Sequence, residues 1–112
     1  MASISTHILD LGAGRPAAGV QVHLERQEER GWVQVGSGET DSDGRVKRFQ
    51  SEAPLALGVY RLHFEIEPYL SRDGGESFFP FAQLVFRVSG AEEHYHVPLL
   101  LNHFGYSTYR GS

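Results

Sequence analysis

The 112-residue sequence predicts an all-β fold, a sandwich of two packed antiparallel sheets with seven to eight strands. Apolar and polar residues alternate with a period of two in run after run, and Gly, Pro and Asp clusters separate the runs. No stretch sustains the 3.6-residue period of a long helix.

The first run, "SISTHILDL", sets Ile4, Thr6 and Ile8 on one face and Ser5, His7 and Leu9 on the other. "GAGRP" breaks it, because Gly relaxes the backbone and Pro restricts the residue before it. In "GVQVHLERQ" Val20, Val22 and Leu24 point inward and Gln21, His23 and Glu25 outward; after "EERG" the chain resumes as "WVQVGSGET". "DSDG" is a turn by composition, and "RVKRF" follows as a short strand. "EAPLALG" is irregular, after which Tyr60, Leu62, Phe64 and Ile66 alternate with Arg61, His63, Glu65 and Glu67. The Pro- and Gly-bearing stretch from Pro68 to Pro80 reads as a loop with one short helical turn over 68–72. "FAQLVFRVS" and "HYHVPLLL" complete the strands, the second placing His94 and His96 on one face and Tyr95, Val97 and Leu99 on the other.

A chain of this length forms one domain over residues 1–112, and its 40% hydrophobic content supplies a core. A net charge of -4 with a single small basic group, "GRVKRF", argues against nucleic acid as a partner. With no cysteine there is no disulfide, thiolate nucleophile or Cys-ligated zinc, and redox permits cytosol and periplasm equally. No signal-like amino end and no membrane-length apolar run is present, so the expected location is the cytoplasm.

Six histidines raise the question of chemistry near neutral pH. His7 and His96 each read either as exposed strand histidines or as a base or ligand, and His94 shares a face with His96, a spacing that suits a metal or an acid/base pair. A zinc site would need a third ligand, His7 or a carboxylate, from another strand, and with no HExxH and no cysteine a metal is not expected; His23, His63 and His103 read as surface histidines. "DSDGR" lacks the Glu of a calcium loop, and "GAGRPAAG" lacks the spacing of a dinucleotide fingerprint. Arg45 follows the turn, where its planar fork is a surface charge or a clamp for an imide, lactam or carboxylate. In "STYRGS", ordering Arg110 alone costs roughly 2 kcal/mol of side-chain entropy that only docking could repay, and the residues alone leave a docked functional tail, with Tyr109, Arg110 and Ser112, and a frayed one equally open. A docked Ser112 brings a hydroxyl and the chain's carboxylate to one place, where either can hold a water or orient an imidazole.

"GRPAAGVQVHLERQ", "SGETDSDGRV" and "GVYRLHFEIE" together resemble the prealbumin-like (transthyretin-like) sandwich of transthyretins, their enzyme relatives and looser accessory modules. "FFPFAQLVFRV", "HYHVPLLL" and "FGYSTYRGS", with "STHILD" near the amino end, are similar to the 5-hydroxyisourate hydrolases, and the ending separates these from hormone-carrying transthyretins. The resemblance runs from Ser5 to Ser112. It implies hydrolysis of the 5-hydroxyisourate lactam, a urate-oxidation product, to 2-oxo-4-hydroxy-4-carboxy-5-ureidoimidazoline, without metal or cofactor. It also implies a homotetramer with its sites in a channel between dimers. Carried onto this chain, the implied catalytic residues are His7, Arg45, His96 and Ser112, with His7, Arg45, Tyr109 and Arg110 binding substrate and His94 beside the site. The sequence departs from the pattern at Asn102 and His103, where many members have Ser-Pro. The competing readings are a transthyretin-like carrier of a small ligand without catalysis and, from the amino-terminal half alone, a structural sandwich module.

Overall fold

The computed structural model describes residues 2–49 and 54–112. Nine strands and one helical turn follow in the order β1 Ser3–Asp10, β2 Arg15–Pro16, β3 Gln21–Glu28, β4 Gly31–Glu39, β5 Arg45–Val46, β6 Gly58–Phe64, α1 Glu67–Ser71, β7 Ala82–Val88, β8 His94–Asn102 and β9 Gly105–Thr108. One sheet has the order β2-β1-β8-β9 with β5 also on β1, and the other β4-β3-β6-β7. The fold is therefore the expected sandwich, with two differences in detail. Two-residue strands β2 and β5 bring the strand number among the described residues to nine, and β1 pairs with β8 in parallel, so that sheet is mixed rather than antiparallel. Side-chain alternation reports faces, and nothing in a period of two encodes which way a partner strand runs. The irregular stretch beginning at Glu52 lies partly outside the described residues.

The alternating runs deliver the core. Val20, Val22, Leu24, Tyr60, Leu62, Phe64 and Ile66 from one sheet meet Ile4, Ile8, Leu99 and Leu101 from the other, all at most 3% exposed. Full burial of each large apolar side chain contributes roughly 1.5–3 kcal/mol. Polar groups of the core find partners, save His23 Nδ1, which is buried without one: Tyr60 Oη donates to the Ala56 carbonyl at 2.7 Å, and Thr6 Oγ1 to that of Val97 at 2.5 Å. The buried Asp10 accepts from the Ala13 amide at 2.9 Å and from the Tyr69 hydroxyl of α1 at 2.8 Å. This carboxylate ties the end of β1 to the one helical turn.

The "DSDG" turn is anchored to β1 at several points. Asp41 Oδ1 accepts from the amides of Asp43 at 2.9 Å and Arg45 at 3.0 Å, and the Arg45 amide above all holds that carboxyl below the ordinary range. The Ile8 amide donates to the Gly44 carbonyl at 2.7 Å, and β5 then pairs His7 with Arg45. Gly44 has φ +75°, and a Cβ there would lie 2.6 Å from the Ile8 carbonyl oxygen and 2.8 Å from Pro16 Cβ. Gly14 has a similar φ of +71° but open space around it. Gly44→Ala should therefore lower unfolding free energy by about 2–4 kcal/mol in a urea titration, against about 1 kcal/mol for Gly14→Ala. Equal losses would show that φ, and not packing of the turn on β1, sets the requirement.

Candidate active site

Alternation along β1 turns Ser3, Ser5 and His7 to the outer face of the mixed sheet, and alternation along β8 turns His94, His96 and Pro98 to the same face. The parallel register sets Ser3 opposite His94, Ser5 opposite His96 and His7 opposite Pro98, so His7 and His96 are diagonal neighbours. Their ring centroids are 6.5 Å apart with planes inclined at 37°. Arg45 joins from the other edge of β1, directly opposite His7. Three residues separated by 38 and 51 positions in sequence thus meet on three neighbouring strands.

The electrostatics follow from this placement. His7 and His96 are half-buried. Burial pushes the His96 imidazole below its ordinary value, and the neighbouring Arg45, His7 and His94 push it further the same way. His96 is accordingly neutral at pH 7, with a lone pair to accept a proton. Its Nδ1 lies 2.8 Å from Ser5 Oγ. Sequence reasoning passed over Ser5, although its place on the His7 face was readable from the same alternation.

The tail docks. Beyond β9 it continues along β8, with the Gly111 amide donating to the His96 carbonyl at 2.8 Å. Gly111 lies against the imidazole itself, since a Cβ there would be 2.5 Å from His96 Cδ2. Ser112 follows Gly111 in the chain and is exposed. Gly111 was not among the sequence-predicted residues; its signal is a glycine next to Ser112 in a tail expected to be ordered. Thr108 Oγ1 donates to the Pro98 carbonyl at 2.7 Å, fixing the start of the tail.

Tyr109 and Arg110 are not brought to the imidazole pair within the chain. Arg110 lies over the Tyr95 ring at 4.7 Å and 3.5 Å from Glu93. With Tyr109 it lines a cleft of about 310 Å³ against Leu84, Tyr95 and Val97, between the sheets. Tyr109 remains 57% exposed, available to a group outside this chain.

The other histidines have structural partners. His23 and His63 face each other across β3 and β6 at 5.9 Å, with Gln83 Nε2 3.0 Å from His63 Nδ1, so both are half-buried rather than plainly on the surface. His103 Nδ1 donates to the Glu76 carbonyl and fastens the loop before β7 to the β8–β9 turn. Asn102 Oδ1 accepts from the His103 amide at 2.9 Å, so the departure from Ser-Pro is a hydrogen-bonded turn. Among the described residues, no group of three or more His, Cys, Asp or Glu side chains is placed to hold a metal ion.

Comparison with known proteins adds to this geometry. A model of the HIUase/Transthyretin family matches residues 4–111. A 5-hydroxyisourate hydrolase of Salmonella dublin is 48% identical over 109 residues, covering 97% of this chain and 80% of that protein. Among solved structures, the Klebsiella pneumoniae 5-hydroxyisourate hydrolase superposes with a TM-score of 0.84 at 42% identity, over 98% of this chain and 99% of that one. Transthyretin from Sparus aurata superposes with a TM-score of 0.88 at 31% identity, over 97% and 96%. With strands, register and family model in agreement over nearly its whole length, the chain belongs to the HIUase/Transthyretin family.

Proposed function

We propose that this protein hydrolyses 5-hydroxyisourate to 2-oxo-4-hydroxy-4-carboxy-5-ureidoimidazoline in urate degradation, with residues 1–112 acting as one domain. The observation that carries the reading is the His7–His96 pair on one sheet face beside Arg45. Relatives bearing the hydrolase name at 42–48% identity support it.

The chemistry follows from the side chains. At 6.5 Å the two rings are too far apart to touch and close enough for one reacting group to hydrogen bond with both, given bonds of about 2.8 Å. One imidazole takes a proton from water as the water oxygen bonds to the lactam carbonyl carbon. The other delivers a proton to the ring nitrogen as the C–N bond breaks. The depressed basicity of His96 suits it to the first task at neutral pH. Arg45 holds the carbonyl-rich ring and stabilises charge developing on oxygen. Ser112, next in the chain after Gly111, positions the attacking water, and Tyr109 and Arg110, which lie away from this pair within one chain, contact substrate held by a second copy. These residues supply the reaction without metal or cofactor.

The half-exposed imidazole face needs a cover to exclude water, and we assign that cover to a second copy in a homotetramer with sites in the channel between dimers. The expected setting is the cytoplasm; no helix among the described residues is long and apolar enough to cross a membrane.

A non-catalytic carrier is the second reading, favoured by the superposition on transthyretin. Adding the protein to freshly generated 5-hydroxyisourate, with chelator present, decides between them. Ultraviolet absorbance should decay faster than the spontaneous rate, and His96→Ala or Arg45→Ala should reduce kcat/KM at least 100-fold while the protein stays folded. Unaccelerated decay with tight ligand retention would establish the carrier. Gly111→Ala, whose added carbon meets the His96 ring, should lower kcat/KM at least 10-fold with thermal unfolding shifted by only a few degrees. Full activity in that variant would detach the tail from the site.

A further inference from the structure

The outer face of β1 and β8 carries polar groups that the proposed reaction leaves unused. Ser3 Oγ lies 2.5 Å from His94 Nδ1, Ser5 Oγ lies 2.8 Å from His94 Nε2, and the same Ser5 oxygen lies 2.8 Å from His96 Nδ1. The four residues form one alternating hydroxyl–imidazole chain, Ser3–His94–Ser5–His96, in which each link can donate and accept. It runs from solvent inward: Ser3 and His94 are exposed, Ser5 is 8% exposed and His96 half-buried. Nε2 of His96 is the one imidazole nitrogen left outside it.

We propose that Ser5 and His94 are positioning residues for His96, and that reversal of this hydrogen-bond chain moves a proton from His96 to solvent. In one direction His96 Nδ1–H donates to Ser5, Ser5 to His94 Nε2 and His94 Nδ1–H to Ser3; Nε2 of His96 then carries a bare lone pair, the form required of a base. In the other, Ser3 donates to His94 Nδ1, His94 Nε2–H to Ser5 and Ser5 to His96 Nδ1; Nε2 of His96 now carries the proton. When His96 Nε2 takes a proton from water, its Nδ1 proton passes to Ser5 oxygen, the Ser5 proton to His94 Nε2, and the His94 Nδ1 proton to solvent by way of Ser3. Each residue gains one proton and gives up one, each imidazole gaining at one nitrogen and losing at the other, and His96 ends neutral.

The inference rests on the hydrolase reading, which also supplies the need for it. Opening a lactam forms a carboxylic acid that ionises near pH 4, so one proton has to leave the site in each turnover. The groups facing His96 are His7 from β1, Arg45 from β5 and His94 from β8, all of which disfavour a lasting positive charge on it. Gly111 presses on the ring without a side chain of its own. A half-buried imidazolium in that company sheds its proton readily, and Ser5 offers a protein-borne path.

Steady-state turnover of 5-hydroxyisourate between pH 5 and 9 tests this in the unsubstituted protein and in Ser5→Ala, Ser5→Thr and His94→Ala. Ser5→Ala and His94→Ala should each lower kcat about 10- to 100-fold with KM within about twofold. Thr at position 5 should retain activity through its hydroxyl, and free imidazole should restore His94→Ala with a saturable dependence. The acid limb of the His94→Ala profile should move to higher pH, because a neighbour that disfavours charge on His96 is gone. His94 is exposed, so this variant keeps the test open if Ser5→Ala folds poorly. A kcat within twofold of the unsubstituted protein in both variants would overturn the relay, as would a loss in His94→Ala that imidazole leaves unrepaired. Absence of turnover in the unsubstituted protein would remove the hydrolase reading itself, an outcome distinct from either.

Discussion

Strand β1 is shared by everything that matters at the site. One of its edges bonds to β2 and β5 and the other to the whole inner length of β8. A strand with two occupied edges has its register fixed from both sides, and a slip of one residue would exchange Ile4, Thr6 and Ile8 for Ser5, His7 and Leu9 on the core face. Because Ile4, Thr6 and Ile8 are at most 3% exposed, that slip would place serine and histidine in the interior without partners. The core therefore sets the geometry of the polar face: what holds the isoleucines inward also holds His7 beside Arg45 and diagonal to His96.

The neighbours of β1 fall into place by different means. β5 is two residues long and could not hold a register alone; the Asp41 carboxylate, the Gly44 dihedral and the Ile8–Gly44 hydrogen bond supply it. β8 is long and largely buried, and its own alternation is enough. The tail relies on β8 in turn, with Gly111 admitted to the His96 ring only because it lacks a Cβ. Arg45, His96 and the tail are thus three dependents of one strand pair, which makes the arrangement sensitive to backbone changes far from any reacting atom.

Much of this was legible in the amino-acid order. The inward sets Val20, Val22, Leu24 and Tyr60, Leu62, Phe64, Ile66 follow from a period of two and are fully or nearly fully buried. The helical turn expected over 68–72 forms at Glu67–Ser71. Pairing was not legible. Ser5 and His96 are 91 residues apart, and the parallel direction of their strands has no local signature, so Ser5 appeared only as a polar spacer beside His7. His94 was expected beside the proposed site; the hydroxyl joining it to His96 had to be seen in three dimensions. Gly111 is the same kind of omission, since close approach depends on what is opposite and not on what is adjacent.

If β1 and β8 hold His7 and His96 as a single acid–base unit, their effects on catalysis cannot be independent. The direct measurement is a double-substitution cycle on kcat/KM for 5-hydroxyisourate, comparing His7→Ala, His96→Ala and the two together. The account predicts that the double variant loses about as much as the more damaged single variant, because removing either imidazole already disables the pair. Losses that multiply would contradict it, and would mean that the two histidines contribute separately to a site this strand pair does not unify.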